Sequence, residues 1–163
     1  MTRRVFFSFH YERDVWRANQ VRHSWVTKPD REAAGFVDAA EFEEVKGKGG
    51  DSVERWIDGQ LEGTSVTAVL IGTETSKRPY VKYEIKKSYV RGNGLLGIYI
   101  HNMKDSAGQI DSKGQNPFET LYVEKDGRKV YLSEMYPAYY WVDGSGYYHF
   151  PEWVEEAAKQ AGR

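Results

Sequence analysis

The chain has 163 residues, 40% of them hydrophobic and 29% charged, a balance that fits one soluble globular domain spanning 1–163 with a single core. Its 23 basic and 24 acidic residues leave a net charge of -1, without the basic excess a dedicated nucleic-acid binder needs. Cysteine is absent, which excludes disulfides, thiolate nucleophiles and Cys-ligated zinc.

The N-terminus, "MTRRVFFSFHYERD", has no secretory apolar region. No stretch approaches the ~20 apolar residues of a membrane span. The expected location is therefore the cytoplasm, with neither membrane nor nucleic acid as a partner. "RVFFSF", 4–9, reads as a buried first strand ending at Ser8 and Phe9. Asp14 can cap the helix that follows, with Val15, Trp16, Val21, Trp25 and Val26 as its apolar stripe and Pro29-Asp30 as its stop. "AAGFVDA", 33–39, suggests a short second strand around Phe36 and Val37.

"EEVKGKGG" is a glycine-lysine loop, and Asp51 or Ser52 can cap a helix through Val53, Trp56, Ile57 and Leu61. "SVTAVLIGT", 65–73, is almost continuously apolar, as a parallel strand covered on both faces should be. "RPYVKYEIKK" opens the next helix with Pro79 in its first turn, and "LLGIYI", 95–100, is another buried strand. Beyond it, the Gly127 turn suggests a hairpin or an edge, and a last amphipathic helix is predicted from Pro151. Alternating strands and helices of this kind give an α/β, doubly wound, mostly parallel sheet of about five strands. Ligands of such folds sit beyond the carboxyl ends of the strands.

One acid stands out in that position. Val81, Ile85 and Tyr89 form the sheet-facing stripe of the "RPYVKYEIKK" helix, and Glu84 lies about 60 degrees to one side of it. Burial there raises a carboxyl pKa, and the positive end of the helix lowers it. Two readings stay open on geometry: a boundary glutamate paired with Lys87, or a carboxylate held at a cleft. Ser8, Phe9 and His10 carry the same ambiguity, between strand-end packing and contact with a flat ring, a hydroxyl or a phosphate. The histidines His10, His23, His101 and His149 are scattered without metal-ligand spacing, so no metal is expected. There is no GxSxG elbow, no P-loop ending and no GxGxxG.

"RVFFSFHYERD", "SVTAVLIGTETSKRPYVKYEI", "NGLLGIYIHNMKD" and "SKGQNPF" together resemble the TIR-like domain of bacterial Thoeris antiphage systems, over roughly residues 3–120. The resemblance implies a flavodoxin-like sheet and an activity that consumes NAD as substrate, with no cofactor. Glu84 matches the family's catalytic glutamate and Tyr80 the aromatic four residues before it, where many TIR domains carry Trp. Ser8, Phe9 and His10 match the first-strand loop that meets nicotinamide and ribose. Asp38 and Phe42 fall in the loop after the second strand, which shapes the pocket and the subunit contact.

Cleaving nicotinamide from ribose passes through an oxocarbenium-like centre, which a facing carboxylate stabilises. Attack by another atom of the same molecule then gives a cyclic ADP-ribose isomer. The expected partners are NAD, a separate effector that reads the diffusible product, and further copies of the chain. The alternative reading is a non-catalytic TIR-like module acting by self-association or partner binding, in which the aromatic "YPAYYWVDGSGYYHF" segment is the contact surface.

Overall fold

A computed structural model describes residues 2–35 and 44–163. The expected Phe36–Val37 part of the second strand, and Asp38 and Phe42, lie outside them. The strands β1 (Arg3–Ser8), β2 (Arg31–Ala34), β3 (Val66–Ile71), β4 (Gly94–Tyr99) and β7 (Ala138–Tyr140) form one sheet in the order β2-β1-β3-β4-β7. Every pairing in it is parallel. This is the flavodoxin-like α/β order, in which the chain reverses direction across the sheet between β1 and β3. A separate antiparallel hairpin, β5 (Tyr122–Lys125) and β6 (Arg128–Tyr131), turns at Asp126-Gly127. Both turn residues have positive φ, 53° and 75°, the geometry a two-residue type I′ turn demands.

Strand periodicity sorts the core into two layers. Val5, Phe7, Val66, Ala68, Leu70, Leu96 and Ile98 face helices α1 (Val15–Val26) and α5 (Gly146–Gln160), which supply Val21, Trp25, Phe150 and Val154. On the opposite face, Val69, Ile71, Leu95 and Tyr99 pack on Val81 and Ile85 of α3 (Pro79–Arg91). Phe6 and Ala34 meet Val53, Ile57 and Leu61 of α2 (Gly50–Leu61) there. A one-turn helix, α4 (Leu132–Met135), leads into β7.

Three expectations need correction. In α1, Val15 and Trp16 are exposed, Trp16 at 53%, while Arg17 and Ala18 turn inward. The cause is tertiary: the Arg17 guanidinium donates to the carbonyls of Met103 (2.7 Å) and Gln109 (3.0 Å), tying the long loop after β4 to the helix. Neither Asp14 nor Asp51 nor Ser52 caps through its side chain; α2 begins at Gly50 with Gly49 as its N-cap residue. The last helix begins at Gly146, so Pro151 lies inside it. Packing offsets the backbone hydrogen bond that proline forgoes, because Phe150 is buried against Trp25 (5.5 Å between ring centroids), Trp141 (5.8 Å) and Phe7 (6.0 Å). The aromatic segment 136–150 thus largely serves the core, with Tyr147 and Tyr148 left exposed.

Candidate functional site

Glu84 is the sixth residue of α3, and Val81 and Ile85 beside it are buried against the sheet. Pro79 occupies the first turn, where its missing N–H leaves no bond unmade, and fixes the start of the helix. The parallel register sets Ser8 beside Val69, so the end of β1 lies at the reversal point of the sheet. The helix and the strand end meet there: Ser8 Oγ donates to Glu84 Oε1 at 2.7 Å, across a sequence separation of 76.

Glu84 is 1% exposed. Its Oε2 has no hydrogen-bond partner, and the carboxyl group forms no ion pair with Lys87 or any other described residue. Burial pushes its pKa up to about 8, and the Ser8 hydrogen bond pulls the other way. Of the two opposing influences expected for this acid, desolvation prevails, because a helix dipole fades beyond the first turn. A carboxyl with one oxygen anchored and the other bare has its own chemistry. It is largely a neutral acid near pH 7 and becomes a strong electrostatic partner for a cation brought against it.

Aromatic rings gather at this end of the sheet. Phe9 is buried, and its ring lies 4.7 Å from that of Tyr11, whose hydroxyl donates to the Gly35 carbonyl. Trp56 of α2 approaches Tyr11 edge-on at 6.5 Å. Burial raises the Tyr11 pKa, and the Glu84 charge adds to the effect, so the phenol stands close to the acid. Tyr80 and Tyr83 are half-buried on the α2 side of α3. His10 is buried, and its Nδ1 accepts the Arg13 backbone N–H at 3.1 Å. Burial lowers its pKa, as does the nearby Arg78 charge, so the ring is neutral with its proton on Nε2.

The structure therefore brings Ser8, Phe9 and His10 together with Glu84 at one end of the sheet, and Tyr80 onto the same helix one turn earlier. Sequence reasoning missed Tyr11, although it stands in the same "FHYE" stretch. It also missed Asp14 and Arg17. The Asp14 carboxylate is sealed against Gly72, where a Cβ would stand 2.2 Å from Oδ2, and the Arg17 guanidinium is 3.6 Å away. Burial raises its pKa to about 6, with Arg17 and Arg13 opposing. Arg17 also reaches Asp111 (3.7 Å) and Asp105 (3.9 Å), so one cation joins α1 to the loop beyond β4. No group of three metal-ligating side chains occurs among the described residues.

Two comparisons with known proteins bear on the family of the chain. The family model "Thoeris protein ThsB, TIR-like domain" matches residues 6–105, which run from within β1 through β4 and contain Glu84. A Bacillus cereus (strain MSX-D12) protein named "Putative cyclic ADP-D-ribose synthase ThsB1" is 38% identical in an alignment of 191 positions, covering 94% of this chain and all of that protein. The parallel sheet, the acid on α3 and the sequence match thus converge, and the chain belongs to the ThsB family of Thoeris TIR-like domains.

Proposed function

We propose that this chain cleaves the nicotinamide–ribose bond of NAD and closes the ADP-ribose portion into a cyclic nucleotide signal for antiphage defence. The observation that carries the reading is the buried Glu84 carboxyl with Ser8 on one oxygen and nothing on the other. The nicotinamide ring of NAD is a pyridinium cation. Brought into a low-dielectric site, it favours the ionised form of a neighbouring acid, so substrate binding itself releases the Glu84 proton. As the glycosidic bond breaks, its electron pair passes to the ring nitrogen and nicotinamide leaves neutral. Positive charge moves to the anomeric carbon, where the Glu84 carboxylate offsets it. Phe9, Tyr11 and Tyr80 orient the rings and keep water out. A nucleophilic atom elsewhere on the same molecule then bonds to the anomeric carbon and gives up a proton, which closes the ring.

The relative's printed name, a cyclic ADP-D-ribose synthase, supports cyclisation over hydrolysis. The signal would be read by a separate effector in the cytoplasm. Asp38 and Phe42 would complete the pocket and a contact between copies. Incubation with NAD, with and without lysate of infected cells, followed by mass spectrometry, tests the reading. The expected result is free nicotinamide plus a product one water lighter than ADP-ribose, absent with Glu84→Gln. Equal NAD loss from the Glu84→Gln protein overturns it.

A further inference from the structure

Next to the acid is a cation that the cleavage step does not use. Arg78 immediately precedes α3, and its side chain makes no capping bond to the helix. Its guanidinium has no hydrogen bond or ion pair with any described residue. A half-buried arginine commonly finds a carboxylate or a row of carbonyls. Among the described residues Arg3, Arg13 and Arg17 do, while Arg91, like Arg78, does not. Glu74, four residues before Arg78, lies 3.6 Å from Arg13 instead.

The position of Arg78 gives the unpaired charge a meaning. His10 follows Ser8 by two residues at the end of β1, and Arg78 opens the helix that carries Glu84. A rise of 1.5 Å per residue sets Arg78 about 9 Å from Glu84 along the axis, and helical side chains lean toward the N-terminus, which shortens the gap. His10 Nε2–H donates to no described residue, while its Nδ1 is occupied by the Arg13 N–H. The rim therefore holds a guanidinium and a neutral N–H donor, both without partners among the described residues, and the positive end of a 13-residue helix. Glu74 and Glu12, which also act on His10, set a limit on how much negative charge the rim accepts.

We infer that Arg78, with the Nε2–H of His10, forms the subsite that binds the diphosphate of the dinucleotide. This rests on the NAD-cleaving reading for the identity of the ligand, since the diphosphate hangs from the same ribose whose anomeric carbon faces Glu84. Arg78 thereby discriminates dinucleotides from nicotinamide nucleosides, which share the reacting bond but lack the anion. It is a specificity residue and takes no part in bond cleavage.

Calorimetric titration of the Glu84→Gln protein with ADP-ribose and with nicotinamide riboside, each with and without Arg78→Gln, tests the subsite apart from turnover. Loss of a charge-assisted pair to the diphosphate should weaken ADP-ribose binding roughly 10- to 100-fold and leave the riboside unchanged. In the otherwise native enzyme, Arg78→Gln should raise KM for NAD by a similar factor with kcat nearly constant, and Arg78→Lys should restore part of it. Unchanged ADP-ribose affinity, or an equal loss for both ligands, overturns the proposal. If ADP-ribose binding depends on Arg78 but the native protein leaves NAD intact, the cleavage reading fails and the anion subsite stands. If NAD is consumed and Arg78→Gln binds ADP-ribose as tightly as its parent, only the subsite falls.

Discussion

Ser8 Oγ and Glu84 Oε1 are 2.7 Å apart, joining the last residue of the first strand to the middle of the third long helix. That contact leaves one carboxyl oxygen anchored and the other bare, in a place where water does not reach it. Stability and chemistry therefore make opposite demands on the same side chain.

Glu84→Gln is expected to raise stability as it removes activity. A carboxyl with its pKa raised from 4.5 to about 8 on folding keeps its proton in the folded chain and loses it in the unfolded one between those values. Stability therefore falls as pH rises from 4.5 to about 8 and stays low above. The amide has no such titration. Denaturant unfolding at pH 8 should show a gain on the order of 3 kcal/mol, shrinking toward zero near pH 4. NAD consumption should drop by about 100-fold or more.

The pH dependence of catalysis should show two different limbs. In the free enzyme the acid titrates near 8, so kcat/KM rises with pH through neutrality and levels off above about 8. In the complex, the pyridinium favours the carboxylate, so the corresponding limb of kcat lies at lower pH. Ser8→Ala removes the one bond that pulls the pKa down, and should move the kcat/KM limb upward at a stability loss of about 1 kcal/mol. A limb that stays in place after Ser8→Ala would show that the hydroxyl does not tune the acid.

Arg17→Met should be among the most destabilising single changes in the chain. It strands the buried Asp14 carboxylate and frees the carbonyls of Met103 and Gln109. Removal of one partner of a buried pair costs about 3–5 kcal/mol. Hydrogen exchange should accelerate over residues 103–111 before it does in β3 or β4. Uniform acceleration would mean that the arginine supports the whole fold and not that loop in particular.

Gly72→Ala should destabilise by about 1–3 kcal/mol, because the new methyl would stand 2.2 Å from Asp14 Oδ2. In a double-mutant cycle with Asp14→Ala the penalty should largely vanish, since the three nearest atoms to the new methyl all belong to the Asp14 carboxylate. A cost that persists in the double variant would place the strain in the backbone of the β3 loop.

The legible parts of this protein were those decided by local pattern. Val66 to Ile71 are apolar in succession, and they form the central strand, buried throughout. Pro79 marked the start of α3, and the apolar spacing behind it put Glu84 near the sheet. What the pattern could not supply was depth. An angle of about 60 degrees off the buried stripe is a margin on an isolated helix; the hydroxyl of Ser8 and the nearby phenol of Tyr11 help turn it into an interior. Arg17 went unnoticed for the same reason, because the carbonyls that satisfy it come from residues 103 and 109. β7 escaped notice because three residues carry too little periodicity, and only its pairing with Gly97 to Tyr99 makes it a strand.

The 76-residue separation between Ser8 and Glu84 also has a bearing on synthesis. As the polypeptide leaves the ribosome, the hydroxyl emerges long before the acid, and α3 cannot dock until β3 has slotted in beside β1. A half-made chain thus holds the glutamate in water as an ordinary anion with no hydrophobic enclosure. The buried, half-anchored acid therefore comes into being only when the topology is complete.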